Sequence, residues 1–333
     1  MKEIRIVATM DCEPTTATSD ASASGPGDWA LGERSVRGYW EMAHARGFPV
    51  TYFVHPETAV AQASLFNELA AQGACLGLHM HPWKFSVWRH AGKRYMAHYG
   101  DLPEGEQRAL LKEAVGVWQE AIGSRPLYFR PGTFSANDAV FKVLAECGFR
   151  GGSCSAPGRV LPEFRAIWTG TEPDPHRANA DFRQVNGSLD FAEMPLSADF
   201  SALLKGRVGR RMHADLRPDT DWEAQYGVSY KTIARNIVAQ VIERNPAVPV
   251  INLMTHNHYD YRDKRAGATQ RLEVVFDELA SACSAAGVRA VGATLADVAN
   301  AVLAAPPVKE AFVSEGTVFE ITLPSTAQTA ATA

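Results

Sequence analysis

The sequence predicts an α/β protein, either a single barrel or a doubly wound sheet. Three observations carry this. Strand-like and helix-like segments alternate along most of the 333 residues, with the apolar period switching between 2 and 3.6. At 46% hydrophobic and 21% charged residues, the chain can bury a full core. Polar residues of catalytic type also gather where the strands end, the side on which both folds build their sites.

The elements follow in order. EIRIVAT at 3–9 reads as the first strand, and 33–46 as a helix with apolar Val36, Tyr39, Trp40 and Ala43. PVTYFV at 49–54 is a β-branched and aromatic run, followed by a helix over about 57–72. ACLGLHM at 74–80 is a strand, 102–123 a long amphipathic helix, LYFR at 127–130 a strand, 137–147 a helix and 149–154 a short strand. Residues 155–225 hold many prolines and little periodicity, apart from LDFAEMPL at 189–196. Regularity returns with a helix at 229–244, a strand at 248–255, a helix at 267–286, a strand at 288–293 and a helix at 294–303. This organisation predicts one domain over 1–305 with an irregular insertion at about 155–225, a candidate lid or homo-oligomer interface. Residues 306–333 form a C-terminal extension expected to be partly disordered, its end (STAQTAATA) being of low complexity.

Charge and composition exclude several classes. The net charge is −4, and the densest basic string is Arg207, Arg210 and Arg211, so nucleic acid is not an expected partner. No apolar run approaches the roughly 18 residues of a membrane span. The N-terminus reads as a strand rather than a signal peptide. Five scattered cysteines without C-x-x-C spacing point to reduced thiols and a cytoplasmic setting.

Four strand ends deliver the polar groups: Asp11-Cys12-Glu13 after the first, His79 and His81 after the third, Arg130-Pro131-Gly132 after the fourth, and His256 and His258 after the strand at 248–255. Period-2 alternation puts His79 and His81 on one face, and Asp11 and Glu13 on one face with Cys12 opposite. Two imidazoles and a carboxylate make an N,N,O set suited to zinc or another divalent first-row metal. Singly, each group has a plain structural explanation as a loop cap, turn residue or surface pair. Four strand ends converging do not.

These motifs, in this order, resemble the polysaccharide deacetylase (NodB-homology) family. FPVTYFVHPE at 48–57 resembles that family's G-x-x-A-T-F-F strand, ACLGLHMHPW at 74–83 its H-E-I-G-x-H motif, and FRPGTFSAND at 129–138 its arginine motif. GFRGGSCS at 148–155 matches the strand that follows, and Leu253-Met254-Thr255-His256 the late L-x-x-His. The likeness spans about residues 3–300.

The resemblance implies a distorted (β/α) barrel of about seven units and hydrolysis of N-acetyl, sometimes O-acetyl, groups with one divalent metal, usually zinc, with cobalt, nickel or manganese as substitutes. It makes His79 and His81 metal ligands, Asp11 the catalytic base, Arg130 the residue that orients it, and His256 the general acid. The metal carboxylate falls on Glu13, which shares the face of Asp11, or on Cys12. Backbone N–H groups near Thr133 and Phe134 would hold the oxyanion, Trp83 would bind substrate, and His258 would either bind substrate or replace His256.

The chain departs from the family pattern in having Asp-Cys-Glu for adjacent aspartates, and H-x-H for H-x-x-x-H with Trp83 in the fifth position. It also lacks one proline in the arginine motif and carries the extra His258. These departures imply a divergent subgroup, whose substrate is a small molecule or oligosaccharide rather than necessarily a polymer. A C–N hydrolase of a non-sugar amide or cyclic imide, and a catalytically inactive carbohydrate-binding relative, are the competing expectations. Tyr52, Trp88, Tyr95, Tyr99, Trp168 and Tyr259 are further candidate stacking platforms. Glu193 is a candidate pocket residue, and His90 and His98 are expected on a solvated flap.

Overall fold

The structure, a computed structural model, describes residues 1–18 and 24–307; most of the C-terminal extension lies outside them. β1 (Glu3–Cys12) is followed by α1 (Trp29–His44), β2 (Val50–Val54), α2 (Pro56–Ala61), α3 (Ala63–Ala71) and β3 (Cys75–Met80). Next come α4 (Pro82–His90), α5 (Glu104–Ile122), β4 (Tyr128–Pro131), α6 (Val140–Glu146) and β5 (Gly151–Gly152). The expected helix over 57–72 breaks in two at Gln62, whose backbone leaves the helical region at φ −128°.

The segment expected to be irregular, 155–225, is more ordered than its composition suggests. It contains β6 (Val160–Leu161), β7 (Ala166–Ile167), β8 (His176–Arg177), β9 (Ala192–Glu193), β10 (Ala198–Lys205), β11 (Arg211–Asp215) and α7 (Trp222–Tyr226). Four of these strands form their own antiparallel sheet in the order β10-β11-β6-β7. β6 and β7 are too short to show a period, and pairing between distant segments makes the sheet. The run at 189–196 reduces to the two residues of β9. The chain ends with α8 (Tyr230–Arg244), β12 (Val250–His256), α9 (Gly267–Ala285), β13 (Arg289–Gly292) and α10 (Leu295–Ala304).

The main sheet runs β12-β1-β2-β3-β4-β5-β9-β8, with β13 also on β1, and is parallel except for the β8–β9 pair. It is a curled, incomplete barrel of the distorted (β/α) type. β1 shows why the site forms where it does. Ile4, Ile6, Ala8, Met10 and Cys12 join one buried cluster and Val7 another, so the strand is apolar on both faces, as a covered parallel strand must be. Register then aligns the strand ends: Asp11 pairs with His256 of β12 and His79 of β3 with Arg130 of β4. No helix among the described residues is long and apolar enough to cross a membrane.

Candidate metal centre and catalytic site

Glu13, His79 and His81 converge at the C-terminal end of the sheet, all buried, with ligand atoms within 4.8 Å of one another. Glu13 Oε1 lies 3.3 Å from His79 Nε2 and 3.0 Å from His81 Nε2. His79 Nδ1 donates to the Arg130 carbonyl at 3.1 Å. In the neutral ring Nε2 is therefore a lone pair, aimed at a carboxylate oxygen. The three ligand atoms lie close enough together to hold one ion, and the N,N,O donor set suits a divalent first-row metal. The residues fit such an ion.

Lys84, in the first turn of α4, is buried and donates to Glu13 Oε2 at 2.8 Å and to the Ser24 carbonyl at 2.6 Å. It leaves Oε1 as the oxygen presented to the histidines. Burial works against the Glu13 charge, but His81, Lys84 and His79 together hold the carboxyl well below its usual range. Burial pushes His81 down to about 4. Asn257 fixes the Glu13 backbone from both sides, accepting from its N–H at 2.9 Å and donating to its carbonyl at 3.0 Å. Cys12, the other ligand candidate, points into the apolar core with its thiol pushed well up by burial. Alternation along β1 turns it away from the imidazoles.

Asp11 sits beside this centre. Arg130, fully buried, donates from Nη1 to Asp11 Oδ1 at 2.7 Å, from Nε to the Ser153 carbonyl at 3.2 Å and from Nη2 to Ser153 Oγ at 2.9 Å. Asn252 of β12 donates to the same Ser153 Oγ at 2.9 Å. The turn after Arg130 has Thr133 at φ 55° and Phe134 at φ 58°, a left-handed pair costly for non-glycine residues. Gly132 has no alternative: a Cβ there would lie 2.2 Å from the His81 ring.

His256 faces the same centre from β12. Its Nδ1 pairs closely with Asp219 Oδ2, and Thr255 Oγ1 donates to the other Asp219 oxygen at 2.5 Å. Burial opposes the imidazolium, but Asp219 prevails and raises the His256 pKa. His258 stacks on His256 with ring centroids 5.3 Å apart, and burial followed by the His256 charge pushes it down to about 4. Trp83 is half-buried, its ring centroid 6.2 Å from that of His81.

Several expectations are corrected. Tyr52, Tyr95, Tyr99 and Trp168 are core residues rather than stacking platforms: all are buried, with the Tyr52 hydroxyl on the Val36 carbonyl and Trp168 Nε1 on the Phe134 carbonyl. Glu193 lines no substrate pocket. It is fully buried and accepts from the backbone N–H groups of Cys154 and Ser155 and from Ser155 Oγ. His90 is tied to Glu113 rather than solvated on a flap. Asp219 and Lys84 are the site residues that sequence reasoning missed. The signal for Asp219 lies in Asp219-Thr220-Asp221 before α7: Asp221 caps the helix, leaving Asp219 without a local partner.

Residues 33–152 match the model of the polysaccharide deacetylase family. No curated protein matches the chain in sequence. A provisionally named polysaccharide deacetylase from Mycobacterium smegmatis shares the fold at 16% identity and TM-score 0.58, with 97% of this chain and 96% of that one covered. A second, from Pseudomonas aeruginosa PAO1, does so at 14% identity and TM-score 0.52, with 89% of each covered. The Puue allantoinase shares it at 13% identity and TM-score 0.56, with 90% and 91% covered. The chain thus matches the polysaccharide deacetylase family model over its central strands, and it shares the fold of these solved structures along most of its length.

Proposed function

We propose that the protein is a metal-dependent amide hydrolase that removes an N-acetyl group from a sugar or polysaccharide precursor. The observation that supports it most is the meeting, at the ends of β12, β1, β3 and β4, of the Glu13–His79–His81 donor set, the Asp11–Arg130 pair and His256 with its partner Asp219. A divalent metal held by Glu13, His79 and His81, zinc first among candidates, would polarise the amide carbonyl and acidify water.

The remaining chemistry belongs to the chain. Asp11, paired with Arg130, takes the proton of the attacking water. His256 gives a proton to the leaving amine; Nδ1 is committed to Asp219, so Nε2 is the nitrogen that delivers it. N–H groups of Thr133 and Phe134 stabilise the developing oxyanion. Trp83 and His258, at the rim, contact the substrate.

A second reading, hydrolysis of a non-sugar amide or cyclic imide on the same groups, is favoured by enclosure. Asp11, Glu13, His79 and His81 are each 5% exposed or less, a setting for a small substrate rather than a polymer strand. The fold shared with an allantoinase agrees with it.

The test pairs metal content with turnover. Wild type is expected to hold about one divalent ion, retained in Cys12→Ala and lost in Glu13→Ala, His79→Ala and His81→Ala. Acetate release from N-acetyl sugars should stop on chelation and in Asp11→Asn. Turnover of cyclic imides alone selects the second reading. A metal-loaded protein that hydrolyses neither class is a binding protein, and the proposal fails.

A further inference from the structure

Three charged groups take no part in the steps above: Arg159 and Asp215, both buried, and Arg217, whose side chain is 16% exposed. Asp215, 1% exposed, is the carboxylate both guanidinium groups contact. Arg217 uses it fully, donating from its backbone N–H to Oδ1 at 3.1 Å and from Nη2 to Oδ2 at 2.6 Å. Arg159, 6% exposed, reaches the same Oδ2 only at 3.5 Å. Arg217 Nε is itself buried without a hydrogen-bond partner. One buried and one mostly buried cation thus share one anion, and Arg217 Nε lacks an acceptor.

Such an arrangement is unfavourable as it stands, because buried charges are normally paired and hydrogen-bonded. Burial, and then the neighbouring Arg217, push Arg159 down to about 9, far below an ordinary guanidinium. Burial also works against the Arg217 charge, but Asp215, Asp219 and Asp11 more than offset it and raise its pKa. Arg217 therefore sits within electrostatic reach of both proposed proton-transfer pairs. Arg159 lies over the Phe134 ring at 4.9 Å, a ring that Arg130 also faces at 5.7 Å. The excess charge borders the turn proposed to hold the oxyanion.

We infer that Arg159 and Arg217 form a subsite for an anionic oxygen group of the substrate, a carboxylate or a phosphate, placed beside the amide that is cleaved. The planar guanidinium fork matches either group in a bidentate way. The inference rests on the hydrolase reading for its place next to the reacting amide, but not for the existence of the anion site. It narrows the substrate class to acylated compounds that carry a negative charge, such as a phosphorylated or carboxylated sugar, over neutral ones.

The first experiment is titration of the full chain with inorganic phosphate, followed by calorimetry. Wild type should bind, and binding should persist in His79→Ala, which separates this seat from the metal centre. Arg159→Met should weaken it at least ~10-fold, the lower end for a charge-assisted pair. Asp215→Asn frees both guanidinium groups and should tighten it. A merely damaged fold would move binding the other way, so this variant decides the matter if Arg159→Met does not fold. Absence of phosphate binding in wild type, loss of it in His79→Ala, or weakened binding in a folded Asp215→Asn overturns the inference.

Kinetics then separate the sources of the anion. N-acetylated sugars matched except for a phosphate or a carboxylate should differ in KM, with the better substrate losing its advantage in Arg159→Met. Phosphate binding without any amide turnover leaves the subsite standing and removes the hydrolase reading. Turnover with no preference for an anion does the reverse.

Discussion

Asp219 shows how one side chain sets the working range of the site. His256 is buried, which alone would drive its pKa down, and the carboxylate on Nδ1 reverses the sign. A general acid must be protonated to act, so activity is expected to persist to higher pH than an ordinary imidazole would allow and to fall as pH rises through the raised His256 pKa. Asp219→Asn removes the raising charge and leaves burial in command. The alkaline limb of kcat/KM should then move to lower pH, with a loss at pH 8 on the order of 10–100-fold. A limb that stays in place would show that another group titrates there. Lys84 illustrates the residue-scale limit of sequence reading. A lysine in the first turn of a helix reads as a solvated side chain, and only the fold shows that it is sealed against Glu13.

Among the elements, the strands of the main sheet were legible because each carries an apolar run with polar groups at its end. The convergence of Asp11, His79, Arg130 and His256 follows from parallel register alone. The four-stranded sheet inside 155–225 was not legible. Two of its strands, β6 and β7, have only two residues and no period of their own, and with the sheet went Arg159, Asp215 and Arg217. Helix breaks such as that at Gln62 depend on tertiary context in the same way.

The turn after β4 carries a sharper expectation. Gly132 lies against the His81 ring so closely that a methyl group would displace it. Gly132→Ala should destabilise the fold by about 1–3 kcal/mol, as overpacking does. In the folded fraction it should also reduce metal content by moving His81 away from Glu13. Retention of the wild-type metal affinity, measured by titration, would mean that the turn rather than the histidine gives way.

On the scale of the whole molecule, Glu193 makes stability depend on pH. Burial raises this carboxyl to about 7, although it accepts from Ser155 and Cys154. A folded pKa above the unfolded one means a contribution that is full below about 4.5 and is lost as pH rises through about 7. The difference between the two limits is on the order of 3 kcal/mol. Urea midpoints at pH 5 and pH 8 should therefore fall more for wild type than for Glu193→Gln, which has no proton to lose. Parallel falls would place the pH dependence elsewhere.

β1 has a consequence for motion. It is paired along both edges, with β12 over Arg5–Asp11 and with β2 over Ala8–Cys12, and the proposed base and metal carboxylate both follow from its end. Only breaking the centre of the sheet can part Asp11 from Glu13 by moving that strand. In hydrogen–deuterium exchange, the amides of Ala8–Asp11 should therefore report global unfolding and little else. Around Ser24, tied to Glu13 by its hydroxyl and to Lys84 by its carbonyl, the backbone has no such ladder and should open on its own. Admission of a substrate would register as deuterium uptake at Ser24–Asp28 while Ala8–Asp11 stay dark.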